Sequence, residues 1–130
     1  MNALPMDLGV CGVEQMFYAG EVNFDDEGVA TGVDLCKLPA NIVVTRAVAI
    51  VKTAFNAGTT NVLTVGANDD INDILGSSDI TEGTAGTYNK QTFAEYSEKK
   101  TVKAKFTQTG TAATAGSAEI YLFVVRVAEK

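Results

Sequence analysis

The chain has 130 residues, 46% hydrophobic and 20% charged, with net charge −6 and neither histidine nor tryptophan. That length predicts a single domain, residues 1–130, able to bury roughly two-thirds of its unfolded surface in a core. The acidic balance repels a polyanion, so no nucleic acid is expected as a partner.

Two cysteines, Cys11 and Cys36, are too few for a disulfide scaffold. They read as small thiols in a reducing compartment, and a bridge between them stays open. With no C-x-x-C and no histidine, a zinc site is not expected. No stretch approaches 18 apolar residues, so no membrane span is expected. The first residues, MNALPMDLGVCGVEQ, lack the basic-then-apolar order of a secretory leader, so synthesis in the cytoplasm is expected.

Residues 1–13 are apolar and Gly-rich and read as an extended arm or a short first strand. Residues 16–24 alternate loosely and predict a strand. Asp25, Asp26, Glu27 and Gly28 make a polar turn. Residues 29–35 are short, β-prone and Gly-interrupted, and one place for them is beside the strand before them.

The strongest signal is 38–66, LPANIVVTRAVAIVKTAFNAGTTNVLTVG. A Leu-Pro-Ala-Asn turn feeds a long strand at 42–55, and Asn56-Ala57-Gly58 turns it toward a second strand at 61–65. The pair reads as a β-hairpin. Neither face of 42–55 is plainly polar. Both faces are therefore expected to be covered, by a second sheet and by another subunit, unless a bulge swaps the faces midway.

Residues 68–76, NDDINDILG, predict one short helix. Asn68 or Asp69 would cap it, Asp69, Asp70 and Asp73 favour its N-terminus, and Gly76 ends it. Ile71, Ile74 and Leu75 would share its inner face. Residues 77–87 read as an exposed loop and 88–96 as a half-buried strand or loop. At 101–108, Val102, Ala104 and Phe106 face in, while Thr101, Lys103, Lys105 and Thr107 face out. A low-complexity stretch, TGTAATAGSA, precedes a closing strand at 118–128. That strand is apolar on both faces and belongs at the centre of a sheet or at a subunit contact.

Seven or eight strands with turn signals between them predict an all-β fold, an antiparallel β-sandwich or barrel with one short helix, and the sandwich is the expectation taken forward. The two doubly apolar strands nominate Val44, Val48, Ile50, Ile120, Leu122 and Val124 for a subunit interface. Leu4, Met6 and Leu8 in the arm, with Lys103 and Lys105, are nominated to contact a larger partner.

Catalytic chemistry has no foothold. Asp69, Asp70, Asp73, Asp79 and Glu82 could supply oxygens to calcium, but Asp73 stands where an EF-hand loop beginning at Asn68 needs glycine. Helix capping and a solvated loop explain these acids without a metal. No spacing selects a carboxylate pair for glycoside chemistry. No P-loop is present, and a histidine-dependent nucleophile has no base. The chain is not expected to be an enzyme or to hold a cofactor.

Three segments carry a resemblance: Leu38-Pro39 ahead of a hydrophobic strand, Thr53-Ala54-Phe55-Asn56, and the strand Leu63-Thr64-Val65-Gly66. Across roughly residues 38–127 the chain resembles the head decoration, or capsid cement, proteins of tailed bacteriophages. The resemblance implies a jelly-roll-like sandwich that binds the outside of an assembled capsid shell and stabilises it. It also implies a homo-oligomer, a trimer first and a dimer second, with the major capsid protein as partner and the virion exterior as location. No catalytic residue carries over. The competing reading is a carbohydrate-binding head of a tail fibre or adhesin, with Tyr88 and Tyr96 as the exposed rings that would stack on a sugar.

Overall fold

The computed structural model describes residues 13–127. Seven strands build two antiparallel sheets: β1 (Glu14–Asn23), β2 (Val33–Leu38), β3 (Ile42–Thr53), β4 (Thr60–Gly66), β5 (Gly86–Tyr96), β6 (Lys100–Thr109) and β7 (Ser117–Arg126). The first sheet has the order β1-β7-β3-β5 and the second β2-β6-β4. Each strand is followed in the chain by a strand of the other sheet. This alternation makes a jelly-roll-like sandwich.

The core lies between the sheets. Ile120, Leu122 and Val124 of β7 and Ala47, Ala49 and Val51 of β3 meet Leu63, Val65, Val102, Ala104 and Phe106 of the second sheet, all buried. The inward set of β6 is the one its alternation predicts. The rings of Phe55 and Phe106 stack 4.8 Å apart and tie the β3–β4 crossing to the second sheet.

The alternation of sheets overturns the predicted hairpin. β3 is flanked on both sides, by β7 and by β5, and has no free edge for β4. β4 instead pairs with β6, from Thr60↔Thr109 to Gly66↔Lys103. The Asn56-Ala57-Gly58 turn is a crossing between sheets. It is held by the Asn56 side chain, whose Oδ1 accepts from Thr114 N at 2.8 Å and Ala115 N at 3.0 Å. Local turn chemistry fixes where the chain bends, not which sheet it enters. Residues 29–35 do not pair with the strand before them for the same reason, since β2 pairs with β6 rather than with β1.

Leu38-Pro39-Ala40-Asn41 does make the expected turn into β3. Asn41 takes φ 62°, a left-handed conformation that Asn tolerates. The predicted helix at 68–76 is absent. Asn68 Oδ1 accepts from Asn72 N at 2.9 Å, as a cap would, but Ile71 adopts φ 55° and breaks the helical path. The chain then returns onto β4. Leu75 N donates to Val65 O at 2.9 Å and Val65 N to Leu75 O at 3.0 Å. Ile71, Ile74 and Leu75 are buried as a group without being helical.

Loop 77–85 is not uniformly exposed, because Ile80 and Glu82 are buried. Glu82 accepts from Leu63 N at 2.8 Å through its carboxylate and from Phe55 N at 2.9 Å through its carbonyl. The loop is thereby pinned to β4 and to the β3–β4 crossing.

Candidate functional site

The outer face of the four-stranded sheet carries the surface feature that packing does not explain. Cross-strand register sets its rows. Met16 stands beside Phe123, Phe123 beside Arg46, and Arg46 beside Gln91. In the next row Tyr18, Tyr121, Val48 and Asn89 follow one another, and then Glu21, Glu119, Ile50 and Thr87. Residues paired across an antiparallel ladder share a face. The centre of this face is therefore aromatic and aliphatic, and its rim is polar.

Two contacts order the patch. The Arg46 guanidinium lies over the Phe123 ring, 4.3 Å from its centroid, where the ring quadrupole attracts the cation. The Tyr18 and Tyr121 rings lie 5.2 Å apart at 56°. Along one rim, Lys52 Nζ bridges Glu21 at 3.3 Å and Glu119 at 3.5 Å. The Glu21 hydrogen bond and the charge of Glu119 hold the Lys52 ammonium above its ordinary pKa. At the opposite end Thr45 Oγ1 bonds the Glu14 carboxylate.

Met16 is 58% exposed, Tyr18 54% and Phe93 73%. Phe93 lies in the outward set of β5, where exposed positions alternate with half-buried ones. A contiguous apolar face with a polar rim, on a protein whose core is already closed, is the form of an association surface.

The six residues nominated for a subunit interface separate into two groups. Val44, Ile120, Leu122 and Val124 are buried between the two sheets, so their packing is within the chain. Val48 and Ile50 are half-buried and lie on the outer aromatic face. The division comes from a bulge at Thr45, between the pairs Val44↔Val124 and Arg46↔Phe123. An extra residue reverses the faces of everything after it. Tyr18, Phe93, Tyr121 and Phe123 are not among the residues that the sequence nominates for an association surface. Tyr121 and Phe123 were marked only by their alternation with the aliphatic Ile120, Leu122 and Val124.

Lys103 and Lys105 point outward from β6, the middle strand of the three-stranded sheet, and so lie on the opposite side of the sandwich. Both are half-buried, and Lys103 Nζ stands 3.9 Å from Asp34. Leu4, Met6 and Leu8 lie outside the described residues.

The tyrosines nominated for sugar stacking are turned to other work. Tyr96 is buried, and its hydroxyl donates to Asp73 Oδ2 at 2.7 Å. Tyr88 is half-buried, and its hydroxyl donates to Thr84 O at 2.6 Å. The acidic loop is similarly occupied. Asp73 Oδ1 accepts from Ala67 N, and Asp79 accepts from Gly76 N and pairs with Lys90. Among the described residues, no group of three His, Cys, Asp or Glu side chains is placed to hold a metal ion. Among the described residues, no helix long and apolar enough to cross a membrane is present.

No protein-family model matches the chain, and no curated protein does. Solved structures do. A chain of the cyanophage Pam1 capsid asymmetric unit superposes with TM-score 0.68 at 20% identity, covering 97% of this chain and 93% of that one. A chain of the capsid of Ralstonia phage GP4 gives TM-score 0.63 at 18% identity, over 99% and 92%. One from the acid-stable capsid of Helicobacter pylori bacteriophage KHP30 gives 0.58 at 18%, over 92% and 97%. At these identities the shared property is the fold, which spans nearly the whole of each chain.

Proposed function

We propose that this chain is a non-enzymatic structural protein of a phage virion that binds the outer surface of the capsid and stabilises the shell. The observation that carries this reading is the end-to-end fold match to chains of three phage capsids. The decoration role also rests on the resemblance across roughly residues 38–127. Two faces of the sandwich suit such a role. The aromatic face, with Val48 and Ile50, joins copies of the chain into a homo-oligomer, a trimer before a dimer. The opposite face presents Lys103 and Lys105 to acidic groups on the major capsid protein. A protein that binds only the assembled shell stabilises that state by mass action.

The test is co-sedimentation of the purified chain with shells assembled from the capsid protein of the same phage, followed by heating. Saturable binding that raises the temperature of shell disruption supports the reading. A chain that stays in the supernatant, or one that enters shells only when present during their assembly, overturns the exterior decoration role.

A further inference from the structure

Strands β1 and β2 are the edge strands of their sheets on the same side of the sandwich, and between them the interior is open. Phe17 pairs with Leu122 and therefore faces inward, yet it is 42% exposed. Cys36 pairs with the buried Val102, also faces inward, and is only half-buried. These two side chains flank an apolar groove of about 310 Å³ floored by Leu122 and Val124, with Lys37 and Arg126 at its rim. Tyr18 lines the groove and also stands in the aromatic face, so the two surfaces are continuous. The opposite edge of the same sheet is β5. There Phe93 projects, 73% exposed, and Glu95 follows two places on, also exposed.

We propose that the groove receives Phe93 of a second copy, so that copies join head to tail, β5 of one against the β1–β2 edge of the next. This contact deepens the self-association proposed above and rests on it. Contacts around a three-fold axis are heterologous, so a trimer needs two different surfaces. Phe93 and the groove are two such surfaces, on opposite edges of one sheet. Their sizes agree, since a cavity of about 150 Å³ accepts a benzene ring and the groove is larger. Their charges agree as well. Residues two apart in a strand share a face, so Glu95 stands beside Phe93, opposite in sign to Lys37 and Arg126. Among the described residues none of these three charges is held in an ion pair. Their heights along the strands also match. Ala94, next to Phe93, lies in one row with Val44 and with Val124 of the groove floor. Glu95 lies in the row of Val43 and Val125, one residue from Arg126. Rotation about an axis parallel to the strands therefore brings the ring to the groove without a rise, the condition for a closed ring instead of an open filament.

Cys36 reports on the groove directly. In a Cys11→Ala chain, at a concentration where light scattering shows an oligomer, its reaction with a small thiol reagent is compared with that of the same chain carrying Phe93→Ala. Phe93 is so exposed that its truncation leaves the fold intact. Seating of Phe93 beside Cys36 predicts modification about tenfold faster in the variant, the ratio for a groove opened by one decade in its equilibrium. Dilution of the parent chain is expected to raise its rate to that of the variant. Loss of the oligomer in the variant with no change in the Cys36 rate overturns the groove contact and leaves self-association through the aromatic face standing. A parent chain that is monomeric throughout overturns both. A second measurement joins the two surfaces covalently. Phe93→Cys is introduced into the Cys11→Ala chain, which is then treated with a short bis-maleimide. Peptide mapping is expected to find Cys36 of one copy linked to position 93 of the next, with a covalent trimer as the closed product. Links found only between position 93 of two copies indicate a face-to-face contact and rule the head-to-tail arrangement out.

Discussion

The Arg46 guanidinium covers the Phe123 ring at 4.3 Å on the outer face of the four-stranded sheet, and both residues sit just beyond the Thr45 bulge. The bulge makes this contact possible. It turns Arg46 to the face that Phe123 already occupies and leaves Val44, on its other side, in the core. One extra residue thus fixes both the interior of the sandwich and its exposed aromatic face.

The aromatic face predicts that Tyr18→Asp with Phe93→Asp separates the chain into monomers and leaves the fold intact. Both side chains are more than half exposed, and exposed substitutions change stability by about 0.5 kcal/mol or less. A stable contact through this face needs about 1,000 Å² or more of buried area, and two charges buried on its edge strands β1 and β5 would abolish it. Light scattering across a dilution series is the measurement. The expected outcome is an oligomer for the natural chain and a monomer for the variant, with unfolding midpoints nearly equal. A natural chain that is monomeric throughout removes the self-association role.

Tyr96→Phe tests the strap between the β4–β5 loop and β5. The Tyr96 hydroxyl donates to Asp73 Oδ2 at 2.7 Å while Asp73 Oδ1 accepts from Ala67 N. Losing a hydrogen bond to a charged group is expected to cost about 1.5–3 kcal/mol in urea unfolding. Burial and the adjoining Asp73 push the phenol well above its ordinary value of 10.0. The folded state thus keeps a proton that the unfolded chain releases. The stability this contributes is complete below pH 10 and is lost as pH rises further. Tyr96→Phe removes that alkaline slope.

Much of the fold was legible in the sequence because period-two patterning survives in β3, β6 and β7. Val102, Ala104 and Phe106 face inward as their alternation requires. Sheet membership was not legible. Asn56-Ala57-Gly58 carries the chemistry of a turn, and the same residues serve a hairpin or a crossing between sheets. What decides is that β5 and β7 occupy both edges of β3, a long-range fact with no local mark. The site was half legible for a similar reason. Val44, Val48 and Ile50 share parity, so only the bulge separates the interior one from the two outer ones. Nothing in the residues around Thr45 announces it.

Glu82 makes the protein's response to acid specific. Burial raises its carboxyl above the ordinary 4.5, against the opposing effect of the Leu63 N–H. The folded state therefore holds its proton more tightly than the unfolded chain. Its contribution to stability is fullest below pH 4.5 and is lost as pH rises through the folded value. Relative to Glu82→Gln, the natural chain is expected to gain stability as pH falls from 7 toward 4.5, read from urea midpoints at several pH values. A difference that stays constant with pH contradicts this. Glu82→Ala leaves Leu63 N–H without its acceptor and is expected to cost about 1–3 kcal/mol at either pH.

Gly116→Ala probes the seam where the chain enters β7. Gly116 has φ 148°, a backbone conformation that side-chain-bearing residues avoid. A Cβ there would stand 2.3 Å from the Phe55 ring. That ring cannot retreat, since it is packed against Phe106 at 4.8 Å and is fully buried. Overpacking of this kind is expected to cost about 1–3 kcal/mol. Phe55→Leu in the same chain should restore part of the loss by making room, which a purely backbone penalty would not allow. Unfolding midpoints of the two single variants and the double variant measure the recovery.

The lysine face separates electrostatic docking from a merely solvated strand. Lys103 pairs at a distance with Asp34, at 3.9 Å, and such exposed pairs contribute at most about 1 kcal/mol. Lys103→Glu with Lys105→Glu is therefore expected to leave the unfolding midpoint almost unchanged. Shell binding should respond strongly, because the variant turns a small basic patch acidic on a chain already at −6. Where the natural chain docks through these cations, its affinity for shells falls as salt is raised and the Debye length shrinks toward about 3 Å at 1 M. The variant should bind weakly at low salt and lose this dependence. Unchanged binding in the variant would assign the shell contact to another face and leave Lys103 and Lys105 as charges that keep the outer face of the three-stranded sheet solvated.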